Sequence, residues 1–126
     1  MGIIGVDHVQ LAMPAGEEEK AIKFYKDLLD LTKLEKPEAL QDRGGVWFAA
    51  GINQVHLGVE DEFSPAKKAH PGLLVRDIML FAKKLEKAGA PVTWDENLPH
   101  YRRFYSEDPF GNRLEFLEPI PLADDA

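Results

Sequence analysis

Four side chains of the kinds that bind metal ions recur at matching places in two halves of this chain. His8 and His70 each begin an H-x-x-L segment, 62 residues apart. His56 lies in V-H-L and Glu115 in L-E-F, 59 residues apart. One histidine in a strand is more often a hydrogen-bonded structural residue than a ligand. Four candidate ligands at duplicated positions instead favour a metal site.

Three imidazoles and one carboxylate suit Ni, Zn, Fe(II), Co or Mn better than Ca or Mg. On a six-coordinate ion they leave two positions, which a substrate with adjacent oxygens can fill, and the ion then stabilises an oxyanion or enolate. Glu115 is the carboxylate of the set and so the candidate general base. If His56 coordinates, the pattern favours chelation. If it only hydrogen-bonds nearby, a three-ligand triad favours dioxygenase or transferase chemistry.

Strand alternation predicts where these side chains point. Glu115 alternates with Leu114 and Phe116, and His8 and His56 alternate with apolar neighbours in the same way. If the apolar faces pack on helices, the polar faces line the inside of a curled sheet. Unpaired charges inside such a cup are costly, and a divalent cation removes that cost.

Hydrophobic periodicity and turn residues predict one strand, one helix and three further strands in each half. The first half has a strand over 6–13, a helix over 17–31 with Asp30 in the left-handed position at its end, a short strand over 31–36, and a hairpin of 44–51 and 54–60. The second half has a strand over 70–77, a helix over 78–89 capped by Asp77 and stopped by Gly89, a strand over 90–94, and a hairpin of 101–108 and 113–119.

This order predicts an α+β fold of two tandem βαβββ modules, 6–60 and 70–119, in a single domain over 1–126. Residues 61–69 form a polar linker, and 120–126 a frayed tail. The three-residue difference between the two offsets fits a shorter loop in the second module. Too few helices separate the strands for a Rossmann-type sheet.

Composition excludes several classes of function. The 126 residues include no cysteine, which excludes disulfides, thiolate ligands and a cysteine nucleophile. The formal charge of −7 argues against nucleic acid as the main partner. No apolar run is long enough to span a membrane, and no signal peptide is recognisable, so we expect a cytoplasmic protein without a membrane partner.

The segments DHVQLAM, AIKFYKDLLDL, HPGLLVRD and EDPFGNRLEFLEP resemble the vicinal oxygen chelate superfamily over residues 6–118. The resemblance implies a cupped mixed β-sheet, a homodimer with two cups built across the pair, and a small-molecule substrate. It implies a divalent metal bound by the four positions of the duplicated pattern. It also implies that Gln10, Trp47 and Tyr105 line the cup, and strand alternation places Arg103 on the same face as Tyr105. Ordinary core or interface packing explains Trp47, Arg103 and Tyr105 almost equally well.

The resemblance leaves the activity open among lyase, isomerase, thiol transferase and dioxygenase. A second hypothesis is a non-catalytic drug-binding protein of the bleomycin-resistance type, whose members lack the ligand set that this chain keeps. A third is a dimer stabilised by metal without any substrate, against which stands the polar lining of Gln10, Gln54 and Arg103.

Overall fold

The computed structural model describes residues 1–121, so most of the predicted frayed tail, 122–126, lies outside the described part. The chain divides into two compact units, Met1–Ala66 and Lys67–Ala126. No helix within residues 1–121 is long and apolar enough to cross a membrane.

The first unit contains one four-stranded sheet and one main helical segment. Its strands are β1 (His8–Met13), β2 (Thr32–Leu34), β3 (Val46–Ala50) and β4 (Asn53–Val59). Helix α1 (Glu18–Ala21) continues directly as a π-helical stretch over Ile22–Leu28, and a 3₁₀-helix spans Glu38–Arg43. The sequence did not predict the 3₁₀-helix, which lies between β2 and β3.

The second unit repeats this plan. Its strands are β5 (Gly72–Leu74), β6 (Thr93–Asp95), β7 (Tyr101–Glu107) and β8 (Arg113–Pro119), and helix α2 spans Ile78–Lys87. The sheet orders are β1-β4-β3-β2 and β5-β8-β7-β6. In each sheet the first strand pairs parallel with the last, and the other pairs are antiparallel. The predicted α+β fold with a duplicated βαβββ order is confirmed.

The apolar faces of both sheets form the cores. In the first unit Tyr25 stacks on Phe48 with ring centroids 5.4 Å apart, and both are fully buried. In the second unit Phe81 of α2 lies 5.0 Å from Phe116 of β8. Leu114 is fully buried as well. The helices therefore cover the faces that alternation assigned to the core.

Glycine is required at position 45, directly before β3 begins. Gly45 has φ +81°, and a Cβ atom there would lie 2.1 Å from the carbonyl oxygen of Leu57. No side chain fits so close a backbone approach. Asp30 adopts φ 62° after the π-helical stretch, as predicted, because aspartate tolerates the left-handed region.

The predicted cap of α2 is wrong. Asp77 itself has φ 51° and makes no side-chain cap hydrogen bond. The carboxylate of Glu118 accepts instead, from the backbone N–H of Asp77 at 2.9 Å and of Ile78 at 3.2 Å. The cap thus comes from β8, a contact 40 residues away that local sequence rules do not reveal.

The turn before β8 is built by one aspartate. Oδ1 of Asp108 accepts from the backbone N–H groups of Phe110 and Asn112, both at 2.9 Å, and Oδ2 accepts from the Asn112 amide at 2.9 Å. Gly111 supplies φ 92°. These contacts explain why the turn contains Asp, Gly and Asn at these positions. The turn also fixes the start of the strand that carries Glu115.

Candidate metal-binding pairs

The first unit brings His8 and His56 together on neighbouring strands. Their rings stack with centroids 4.3 Å apart. In the register of β1 and β4, His8 lies opposite Gln54 and Gln10 opposite His56, so all four side chains share one face of the sheet. His8 is exposed, and its Nδ1 lies 3.0 Å from the carboxylate of Asp7. With its Nδ1–H donated to that carboxylate, His8 offers the lone pair of Nε2.

His56 is 4% exposed and lies between two rings. Trp47 of β3 stacks on its other face at 3.8 Å, with an angle of 2° between the ring planes. Its Nε2 lies 2.8 Å from the amide oxygen of Gln54, which only accepts, so Nε2 carries the proton and Nδ1 offers a lone pair. Burial, and then the nearby His8, lower the pKa of His56 below the ordinary histidine value, although Asp7 opposes this. His56 is therefore held neutral, the form that binds metals.

The second unit brings His70 and Glu115 into direct contact. Nε2 of His70 lies 2.8 Å from Oε1 of Glu115, and both side chains are largely buried. Nδ1 of His70 lies 2.8 Å from the backbone carbonyl of Lys68. A carbonyl only accepts, so Nδ1 carries a proton and donates it to Lys68, and Nε2 is the ring nitrogen that faces the carboxylate.

This donor set fits a divalent ion. A neutral Nε2 and a carboxylate oxygen are both acceptors, so a separation of 2.8 Å requires a cation, either a proton or a metal ion. Adjacent ligands with bonds of about 2.1 Å at right angles lie roughly 3 Å apart. The second unit thus presents two donors at the spacing of neighbouring metal ligands.

Arg103 of β7 holds the other oxygen of this carboxylate. Its Nη1 lies 3.2 Å from Oε2 of Glu115, while Nε and Nη2 lie 3.3 and 3.1 Å from Oδ1 of Asp95. The backbone N–H of Asn97, and also Arg103, lower the pKa of Asp95 despite its desolvation. Asp95 therefore stays ionised and anchors the guanidinium that positions Glu115.

Tyr105 lies on the same face, opposite Glu115 in the register of β7 and β8. Its ring meets His70 edge-on at 5.5 Å, with Arg103 at 5.3 Å and Arg113 at 4.1 Å from its centroid. The sequence-predicted residues thus fall into two groups. One contains His8, Gln10, Trp47 and His56, and the other contains His70, Arg103, Tyr105 and Glu115.

Within residues 1–121, no three His, Asp or Glu side chains form one cluster suited to a metal ion. The fourth histidine, His100, belongs to neither pair. It is exposed, has φ 69°, and accepts the backbone N–H of Ile120 at its carbonyl oxygen.

Sequence reasoning did not assign the partners that orient these donors. Gln54 and Arg103, interpreted as an open polar lining, are bonded to His56 and Glu115. The Asp95 anchor could have been found from the hairpin, because Asp95 lies opposite Arg103 in its register. The contact of His70 with the backbone carbonyl of Lys68 could not be predicted, because a backbone group gives no indication in the type of side chain.

The family comparison agrees with this fold. The model of the Glyoxalase/Bleomycin resistance protein/Dioxygenase superfamily matches residues 5–116. The match covers most of the chain, and the chain belongs to this superfamily. No protein with a curated description matches it in sequence.

Solved structures extend the comparison. A glyoxalase family protein from Bacillus anthracis is 47% identical with a TM-score of 0.91, covering 94% of this chain and 98% of that one. Lactoylglutathione lyase from Agrobacterium tumefaciens is 18% identical with a TM-score of 0.70, covering 90% and 92%. An antibiotic-binding protein from a Streptomyces species is 24% identical with a TM-score of 0.69, covering 94% and 98%. The last two likenesses show the fold alone.

Proposed function

We propose that this protein is a metal-dependent enzyme of the vicinal oxygen chelate type. His8, His56, His70 and Glu115 would hold one divalent ion, of the Ni, Zn, Fe(II), Co or Mn class. The observation that carries the proposal is the contact of His70 with Glu115. Nδ1 of His70 donates to the Lys68 carbonyl, so the contact of Nε2 with Oε1 of Glu115 at 2.8 Å needs a cation between these two atoms. A proton supplies this cation in an imidazolium, and a divalent ion would take its place.

A bound divalent ion would supply Lewis acidity to two adjacent oxygens of a small substrate, which stabilises an oxyanion or enolate. The chain's own residues prepare this chemistry. Asp7, Gln54 and the Lys68 carbonyl each bind one ring nitrogen of a histidine, so the other ring nitrogen would be the one that coordinates the ion. Such partners fix both the tautomer and the orientation of the ring.

We further propose Glu115 as the general base. Its two oxygens have different partners, since Oε1 faces His70 and Oε2 accepts from Arg103. Arg103 is tied to Asp95 by two N–H groups, so it would keep hold of Oε2 while Oε1, once detached from the ion, would take a proton from the substrate.

The substrate would lie against the polar faces of the two sheets. Gln10 and Trp47 would contact it beside the His8–His56 pair, and Tyr105 and Arg103 beside the other pair. Aromatic rings and a few placed polar groups are the usual lining of small-molecule sites. A homodimer, implied by the superfamily resemblance, would be the working assembly.

Metal uptake tests the proposal. Protein stripped with a chelator is dialysed against Ni, Zn, Co or Mn, and the bound metal is measured by elemental analysis. The intact chain is expected to retain about one ion per chain, and His70→Ala to lose most of it. His100→Asn is the matched control, because it removes the one histidine outside the set and asparagine tolerates the left-handed backbone. Absence of uptake of all four metals by the intact chain, and of Fe(II) added without oxygen, would sink the proposal.

A second candidate function is non-catalytic binding of a small molecule. It is favoured by a cavity of about 660 Å³ in the second unit, within the range of drug-sized sites. Its lining combines Met79, Trp94 and Ile120 with Asp95 and Arg103. A ligand bound equally well by metal-free protein and by His70→Ala would support this candidate over the enzyme.

A further inference from the structure

A second, smaller cavity of about 280 Å³ lies within the first unit. The sheet contributes Gln10, Trp47 and Gly58 to its wall, and the segment between β2 and β3 contributes Lys36 and Arg43. This volume is below that of a drug-sized site and suits one functional group of a larger ligand.

Both charged side chains that line this cavity are cationic, while the carboxylate beside the wall, that of Glu18 next to Gly44, is held by the backbone N–H of Gly45. The chain carries a formal charge of −7, yet Lys36 and Arg43 line the cavity without any acidic residue. Within the described residues neither cation pairs with a carboxylate. The ammonium of Lys36 donates one hydrogen bond to the carbonyl of Gly44, which fixes its position and leaves two donors.

The cavity adjoins the His8–His56 pair, because two of its lining residues are also neighbours of His56. Trp47 lines the cavity and stacks on His56 at 3.8 Å. Gln10 lines it and lies opposite His56 in the strand register. The amide nitrogen of Gln10 lies 2.6 Å from the place where a Cβ on Gly58 would be, so glycine leaves room for this amide.

The segment that carries Lys36 and Arg43 is not part of the repeated scaffold. Residues 35–45 separate β2 from β3, whereas only residues 96–100 separate the equivalent β6 and β7. Loops that depart from a repeated framework commonly carry specificity. Here the longer loop brings Lys36 and Arg43 to the cavity.

We propose that this cavity binds an anionic group, a carboxylate or a phosphate, of the ligand whose other end reaches the His8–His56 pair. The ligand therefore belongs to the small organic acids or phosphate esters. The link to the histidine pair rests on the proposed function, but anion binding itself does not require a metal. Arg43 and Lys36 supply charge-assisted hydrogen bonds, and Gln10 supplies a neutral donor.

The fluorescence of Trp47, which lines the cavity, can report the binding of an anion there. The chain has two tryptophans, so Trp94→Phe leaves Trp47 as the one fluorophore of that type. Metal-free Trp94→Phe protein is titrated with benzoate, with inorganic phosphate and with neutral benzamide at constant ionic strength. Benzoate, phosphate or both are expected to change the Trp47 emission with saturation, and benzamide is not. Response to benzoate alone identifies a carboxylate, and response to phosphate alone identifies a phosphate.

Charge removal supplies the control. In the Trp94→Phe background, Lys36→Gln with Arg43→Gln is expected to weaken anion binding about tenfold or more, while keeping a donor for the Gly44 carbonyl. The matched pair Lys23→Gln with Lys26→Gln removes the same charge from the exposed side of the helical segment and should change binding less than twofold. No saturable anion response, equal binding of benzamide, or equal weakening in both pairs overturns the proposal. Failure of metal uptake alone leaves it standing, since no metal is present in the titration.

Discussion

At the scale of single residues, the candidate site is defined by hydrogen bonds that select one nitrogen of each histidine. Nδ1 of His8 and Nε2 of His56 each face an acceptor on the protein, which leaves the other ring nitrogen of each with a lone pair. In His70, Nδ1 faces the Lys68 carbonyl and Nε2 faces the carboxylate of Glu115. The side-chain types and strand alternation predicted the donors, but not the acceptors that orient them.

Gln54 tests this orientation directly. Gln54→Leu removes the acceptor of His56 Nε2, so the ring can rotate or change tautomer, and metal affinity is expected to fall about 10- to 100-fold. Gln54→Glu keeps an acceptor and should retain affinity near that of the intact chain. Equilibrium dialysis with Co(II) measures both variants. Unchanged affinity in Gln54→Leu would contradict the role of His56 as a ligand.

At the scale of elements, the period of the hydrophobic pattern was sufficient to predict the strands, the main helical segment of each unit and the hairpins, but not the 3₁₀-helix Glu38–Arg43. Alternation also assigned the faces correctly, because Leu114 and Phe116 are buried on one side and Glu115 lies on the other with Tyr105. One failure depends on a contact distant in sequence, the Glu118 cap of α2. Another is the π-helical form of Ile22–Leu28, which hydrophobic periodicity does not distinguish from an α-helix.

The two candidate caps of α2 can be separated by stability. Glu118→Ala removes the acceptor of two backbone N–H groups and is expected to lower the free energy of unfolding by about 1–2 kcal/mol. Asp77→Asn keeps a residue that tolerates φ 51° and should change it by less than about 0.5 kcal/mol. Urea unfolding followed by circular dichroism measures the difference. A larger loss for Asp77→Asn than for Glu118→Ala would show that the cap is assigned wrongly.

At the scale of the whole molecule, duplication is the feature that made the fold predictable. Two units with the same strand order carry one pair of candidate ligands each: His8 in β1 with His56 in β4, and Glu115 in β8 with His70 two residues before β5 rather than in the predicted strand. The parallel pairing of the first and last strands brings together residues that are far apart in sequence. The matching spacings between the two halves of the sequence indicated which residues the strand pairing brings together, and a single module would not have indicated them.

Mixing variants tests the proposed homodimer. If each site takes one pair from each chain, a His8→Ala chain mixed with a Glu115→Gln chain forms heterodimers in which one site is intact. Metal binding by the mixture is then expected to rise from near zero to about one quarter of the intact value, after random exchange of chains. Elemental analysis of the refolded mixture measures the metal bound per chain. Mixtures that bind no more than the separate variants would indicate sites built within one chain.

The most direct test of the central claim is to count the imidazoles on the metal. X-ray absorption of the Co(II)-loaded chain resolves histidine rings by their multiple scattering. The account predicts three imidazoles and oxygen donors in the intact chain and in His100→Asn. It predicts fewer imidazoles per bound ion in His8→Ala, His56→Ala and His70→Ala. A chain that binds no cobalt, or an imidazole count that stays at three in all of these variants, would contradict it.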